Sequence, residues 1–314
     1  MQKINILILL SILFILSGCQ STEDKILKIV NDDMYNSLHD YHSYEVIRTD
    51  IFENSTSMQD YLSCIKLAKQ HISNMELLDN NSTALLSEFL KRKNNISIQI
   101  YPIYSNLVNN KSKNTTNEIQ YYSVTQKFRC KDRNGNYGVH KYTYIIDKEV
   151  KHIMEEYKVE DYDSKKNIDS IIVDLSSIGK YNLEWKTKNE DYLRNNLSNP
   201  KVKSTASGLQ YIILKQGTGR TPKWTDKVKT LSSGCCIDGS GFDSTYERKS
   251  PSESLVSEKI EGIAEALMMM PVGSEWRIFI PSQLGSGAAG NYNSKFIKPY
   301  SVYIADIKLI DIIN

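Results

Sequence analysis

Residues 260–287 read IEGIAEALMMMPVGSEWRIFIPSQLGSG, and this stretch decides the fold of the C-terminal part of the chain. Ile260, Ile263, Ala264 and Leu267 recur at helical spacing, so they predict a short helix with one apolar face. Met270-Pro271-Val272-Gly273 stops it. SEWRIFIP (274–281) follows as a strand. Working outward, LQYIILKQG (209–217) and DKVKTLSSGCCIDG (226–239) read as strands, the latter entering a turn at Asp238-Gly239. SVYIADIKLIDI (301–312) is a further strand. One helix among several antiparallel strands predicts a curved sheet wrapped on that helix.

Upstream the pattern differs. KILKIVNDDMYNSLHDY (25–41), SMQDYLSCIKLAKQHISNMELL (57–78) and STALLSEFLKRK (82–93) carry apolar residues at helical spacing. EIQYYSVTQKFRC (118–130), YGVHKYTYIID (137–147) and EVKHIMEEYKV (149–159) are rich in β-branched and aromatic residues, with partial strand alternation. Asn134-Gly135 suits a tight turn between the first two. The expectation is an α+β unit, helices packed on an antiparallel meander, with its many tyrosines covering a core. NEDYLRNNLSNPKVKSTASG (189–208) begins as helix and passes through Asn199-Pro200 into a polar linker. A proline restricts the residue before it, so the helix is expected to end near Ser198.

The chain has 314 residues, 40% hydrophobic and 24% charged, enough for two domains. A formal net charge of +2 from 39 basic and 37 acidic residues argues against a nucleic-acid partner. At the start, Lys3 precedes the apolar run ILILLSILFIL (6–16) and Leu16-Ser17-Gly18-Cys19. A positive residue, a short apolar core and small residues make a secretory signal, too short for a comfortable membrane span. The LSGC ending resembles the lipobox of bacterial lipoproteins, which implies lipid on Cys19. Plain secretion with Cys19 incidental is the alternative. Cys64, Cys130, Cys235 and Cys236 form no CxxC and no zinc spacing, and the sequence does not pair them. His39, His42, His71, His140 and His152 all lie in the first half.

In order and spacing, SGLQYIILKQGTGRTP (207–222), IDGSGFDSTYERKSP (237–251), the opening stretch and YIADIKLIDI (303–312) resemble the FKBP-type peptidyl-prolyl isomerases, especially bacterial exported members with an N-terminal extension. The resemblance covers residues 208–314 and does not reach the N-terminal unit. It implies a water-poor aromatic pocket that holds a proline ring, with no nucleophile, metal or cofactor. Residue by residue, Phe242 matches the wall aromatic and Asp243 the carboxylate beside it. Ile260 matches the residue whose backbone N–H binds a ligand carbonyl, and Ile297 a loop residue that closes over the ligand. Ile263 stands where the family has the Trp floor. Other departures are Ser232 and Ser286 at tyrosine positions, Ser252 and Ser254 near positions that are often aromatic, and Ala305 at a phenylalanine. Tyr246, Tyr292, Tyr300 and Tyr303 are candidates to refill the space.

The implied division is a signal peptide over 1–18, a lipidated tether over 19–24, an α+β unit over 25–181, a helical connector and linker over 182–207, and an FKBP-like domain over 208–314. The implied function is an envelope-anchored prolyl isomerase or folding factor acting on proline-containing clients. The alternative is a binding module of the same fold without turnover. Gly285, Gly287 and Gly290 also fit GxGxxG, with Asp306 downstream, but NYNSKFIKP (291–299) is poor helix material and the fingerprint needs a helix there.

Overall fold

The computed structural model describes residues 20–38, 40–76, 83–111, 118–158, 167–246, 248, 250–291 and 297–313. The chain separates into two compact units, each interrupted in sequence: residues up to Ser63 with Asn106–Ile171, and Cys64–Ser105 with Ile172–Asn314.

In the first unit, helix α1 (Thr22–Ser37) starts with a capping box. The Asp24 N–H donates to Ser21 Oγ at 3.1 Å, and the Ser21 N–H donates to the Asp24 carboxylate at 3.2 Å. Two otherwise unpaired donors are satisfied this way. Ile26, Val30 and Met34, spaced by four, form the buried stripe. They pack on Tyr122, Val124, Phe128, Tyr144 and Ile146 of a four-stranded antiparallel sheet. Its order is β1 (Glu45–Asn54), β2 (Tyr121–Lys131), β3 (Tyr137–Asp147), β4 (Ile153–Lys158). The β2–β3 turn uses Gly135 at φ +81°, and the Asp132 carboxylate accepts the Asn134 and Asn136 N–H groups at 2.8 and 2.9 Å. Tyr121, Tyr122, Tyr144 and Tyr157 are buried, so these tyrosines serve the core. A helix on an antiparallel sheet is the expected α+β arrangement for this helix, with one strand, β1, that the sequence pattern does not announce; the helices expected at 57–78 and 82–93 fall largely in the second unit.

The second unit takes in parts of α2 (Met58–Glu76), α3 (Thr83–Lys111) and α4 (Ile168–Asn196). The boundary expected at 181/182 falls inside α4, which ends at Asn196, two residues short of Ser198. Helices α3 and α4 approach closely at Gly179, where any Cβ would sit 1.9 Å from the Ser97 carbonyl oxygen. Only glycine permits that crossing.

The same unit holds a seven-stranded antiparallel sheet. Its strands are β5 (Lys203–Ser204), β6 (Gln210–Lys215), β7 (Lys227–Cys236), β8 (Gly241–Ser244), β9 (Ser252–Leu255), β10 (Glu275–Ile280) and β11 (Tyr303–Ile313). The order is β5-β6-β10-β11-β7-β8, with β9 also on β7. Helix α5 (Glu261–Met269) packs on one face. Ala264, Ala266 and Leu267 meet Leu209, Val228, Trp276, Ile278, Ile280, Ile307 and Leu309 in one buried cluster. Period-two alternation on β11 buries Tyr303, Ala305, Ile307 and Leu309 toward the helix. Cys236 is buried and its neighbour Cys235 only partly so, and none of the four described cysteines is in a disulfide.

Candidate active site

The space between α5 and the sheet is shaped by strand register. Directly paired residues place Asp243, Gly234, Ala305 and Ile278 in one row across β8, β7, β11 and β10. The two middle positions carry a hydrogen and a methyl group, so the row is bare where its neighbours are full. The row alongside runs Cys236, Tyr303, Ile280.

Helix α5 sits close above these rows. A Cβ on Gly262 would stand 2.3 Å from Ile280 Cγ2, so glycine sets the helix-to-sheet distance. Ile260 is the N-cap, with extended backbone at φ −59° and ψ 150°. Its carbonyl accepts the Ile263 and Ala264 N–H groups, both at 3.0 Å. Among the described residues its own N–H meets no acceptor. The free N–H lies at the helix start, where the backbone dipoles favour a carbonyl oxygen. Ile263, one turn on, is half-buried against the core, and Ile297 is 7% exposed in the same cluster. The structure thus gathers Ile260, Ile263 and Ile297 around the core cluster. Strand β8 carries the backbones of Phe242 and Asp243, while their side chains, like Cys19 and Tyr292, lie outside the described residues.

The positions where aromatics are missing are occupied differently. The hydroxyl groups of Tyr303 and Ser286 are hydrogen bonded, and the Tyr303 ring packs against Gly285. Burial pushes the Tyr303 phenol up, so it is protonated at neutral pH. Tyr300 is buried with its hydroxyl on Asn95 Oδ1 at 3.0 Å. Tyr246 donates to Glu275 at 3.4 Å. Ser232 binds Thr245 through the backbone: its N–H donates to Thr245 Oγ1 at 2.7 Å, and its carbonyl accepts the Thr245 N–H at 2.7 Å. That pair fixes the exit of β8. Ser252 meets Thr230 at 3.2 Å between hydroxyl oxygens.

Two loops form the rim. In the first, residues 281–291, the glycine-rich run makes a short 3-10 turn at Gly287–Ala289 and, among the described residues, is followed by no α-helix of the kind the dinucleotide fingerprint needs. In the second, residues 297–302, Tyr300 adopts φ +63°, an uncommon left-handed conformation for a tyrosine. The loops are stitched by the Asn291 N–H on the Ile297 carbonyl at 3.1 Å and the Tyr300 N–H on the Gly287 carbonyl at 2.9 Å. Among the described residues there is no cluster of three or more His, Cys, Asp or Glu able to hold a metal ion.

An antiparallel sheet packed on one short helix defines an α+β domain. Residues 218–310 match the family model of FKBP-type peptidyl-prolyl cis-trans isomerase. The FkpA isomerase of Aeromonas hydrophila is 35% identical over 175 residues, 56% of this chain and 61% of that protein. The FKBP-type 22 kDa isomerase of Escherichia coli is 41% identical over 122 residues, 39% of this chain and 58% of that one. Outer membrane protein MIP of Legionella longbeachae is 38% identical over 135 residues, 43% of this chain and 58% of that one. The chain thus spans about three fifths of the length of these relatives. The C-terminal part of the chain, residues 218–310, is thus similar to the FKBP-type peptidyl-prolyl cis-trans isomerases.

Proposed function

We infer that the space between α5 and the sheet is a peptidyl-prolyl cis-trans isomerase site and that the chain is a folding factor for X-Pro segments of exported proteins. The observation that carries this reading is the unengaged Ile260 N–H beside the apolar Ile263 and Ile297, inside a region similar to the FKBP family. Rotation about an X-Pro amide faces a barrier of ~18–20 kcal/mol from resonance. The planar amide is the charge-separated, more polar form. A site that seats the proline ring on Ile263 and Ile297 and fixes a flanking carbonyl on the Ile260 N–H keeps water from the amide and favours the twisted state. Phe242 is assigned as the wall of that site and Asp243 as the carboxylate beside it. This chemistry requires no nucleophile, metal or cofactor. The relatives named as isomerases support the reading.

The chain is placed in the cell envelope by lipid on Cys19. Residues 1–18 are removed, 19–24 form the tether, and 25–181 with the connector 182–207 precede the site domain along the chain. Supporting this are the LSGC run and a relative named as an outer membrane protein. No helix among the described residues is long and apolar enough to cross a membrane. The near-balanced charge fits protein clients and not nucleic acid.

The test is isomerisation of a short X-Pro peptide by purified residues 20–314. Acceleration above the uncatalysed rate, abolished in Phe242→Ala, is expected. No acceleration, with the peptide still bound, makes the domain a binding module; an unaffected Phe242→Ala means the pocket is misplaced.

A further inference from the structure

The rim loops are held by the helices of the same unit more than by the sheet they belong to. Asn189 of α4 is 2% exposed, and its Oδ1 accepts the buried Val302 N–H at 2.7 Å. Its Nδ2 donates to the Trp185 carbonyl at 2.8 Å, which fixes the orientation of the amide. Trp185 Nε1 donates to Ser301 Oγ at 3.0 Å. On the other loop, Asn94 of α3 donates through Nδ2 to the Ala288 carbonyl at 2.8 Å. The Asn94 Oδ1 in turn accepts from Asn182 of α4 at 3.0 Å. The neighbouring Asn95 accepts the Tyr300 hydroxyl, bonding the residue with the left-handed backbone. Lys298, between Ile297 and Pro299, lays its ammonium 4.3 Å from the Trp185 ring centre and 3.3 Å from the Asp238 carboxylate, in the turn that leads to β8.

Asparagine is a mediocre helix former, and a buried amide is costly unless fully bonded. Three buried asparagines on two helices therefore call for a reason. A general stabilising role would send their bonds to the sheet or to other helix backbones. Here the loop-directed bonds of Asn94 and Asn189 end on backbone atoms of 288 and 302, in the two segments that also carry Ser286 and Ile297. The Gly179 crossing sets α3 against α4 and so the spacing of the two clamps. Catalysis by seating and desolvation depends on rim geometry, and a misplacement of about 1 Å can cost on the order of a hundredfold.

We propose that α3 and α4 are the positioning frame of this site, with Asn94, Asn95, Trp185 and Asn189 holding both rim loops in working geometry. The proposal rests on the isomerase reading for its kinetic consequence only. Asn189→Ala leaves the Val302 N–H unpaired; Asn189→Asp keeps an acceptor for it. Asn95→Ala is a milder second variant that frees Tyr300.

The experiment measures steady-state isomerisation of an X-Pro peptide, amide hydrogen exchange over 286–302, and the thermal midpoint, all on residues 20–314. Asn189→Ala is expected to lower kcat/KM at least tenfold, mostly through KM, with faster exchange confined to 286–302. Asn189→Asp, which keeps the acceptor for Val302 but loses the donor to the Trp185 carbonyl, recovers only part of both, and Asn95→Ala lies between Asn189→Ala and wild type. Unchanged loop exchange in Asn189→Ala overturns the proposal, as does acceleration spread over the whole chain with a collapsed midpoint. Should the wild type not accelerate isomerisation, the isomerase reading falls and the frame is judged by exchange alone. Loops protected in wild type and released in Asn189→Ala then uphold it, and loops unprotected in both overturn it.

Discussion

The hydroxyl of Tyr303, in the middle of a buried strand row, is bonded to that of Ser286 on the rim loop. The bond joins the last strand to the loop, and the Tyr303 ring lies against Gly285 beside it. Tyr303→Phe keeps the ring and frees Ser286 to water. Net loss of one such bond costs about 1 kcal/mol. The expected result is a thermal midpoint lower by about 2–4 °C with kcat/KM within threefold of wild type. Tyr303→Ala removes the ring and should lower kcat/KM more than tenfold. Equal rates for the two variants would place Tyr303 outside the site.

Gly262 lies under Ile280, with no room for a methyl group. Two effects oppose each other in Gly262→Ala. Helix propensity favours alanine by ~1 kcal/mol. Overpacking against Ile280 costs about 1–3 kcal/mol, because the contact is with a branched, buried side chain in a sheet. Packing wins, so the urea midpoint should fall. Adding Ile280→Leu moves the branch off Cβ and should recover part of the loss. A more stable Gly262→Ala would show that α5 can lift without penalty.

His71 on α2 is buried, stacks on Phe89 at 5.6 Å, and among the described residues its Nδ1 has no partner. Burial first, and Lys93 second, hold its imidazole below the ordinary value of 6.5. The unfolded chain therefore binds more protons than the native one just below pH 6.5, so stability rises with pH there. The contribution is complete above 6.5 and is lost as the pH falls, at up to ~1.4 kcal/mol per unit. His140, also held low by burial, acts in the same direction. Thermal midpoints at pH 7.5 and 5.5 should differ, and His71→Leu should reduce the difference. A variant with the wild-type pH dependence would exclude His71 as a source.

Cys19→Ser removes the sulfur that a lipid would need. The variant should move from the membrane to the soluble fraction on cell fractionation, with unchanged kcat/KM for the purified chain. Continued membrane association would rule out lipid on Cys19 as the anchor.

Much of the C-terminal sheet was legible because its strands are long and regular. β11 alternates over most of its length and α5 has one apolar stripe, while β6, β7 and β10 are apolar runs long enough to read as strands. Strands β5, β8 and β9 have four residues or fewer, too short for a period to register. Strand β1, EVIRTDIFEN, is mostly exposed and breaks register between Val46 and Arg48, so its alternation is interrupted. The N-terminal half of α4, IDSIIVDLSSIG, is rich in β-branched residues and serine, which have weak helix propensity; packing overrides it.

By itself the sequence determined the longer C-terminal strands, the short helix α5 and the residue types at the positions of interest, because each is a matter of local period or of residue type. Tertiary structure alone decided that Tyr303 meets Ser286 and that Asn94 and Asn189 reach the rim loops. Those partners lie 17, 194 and 113 positions apart along the chain. Hydrogen bonds between such distant groups depend on where folded elements cross, here on the absence of a side chain at Gly179, and no local pattern records that crossing.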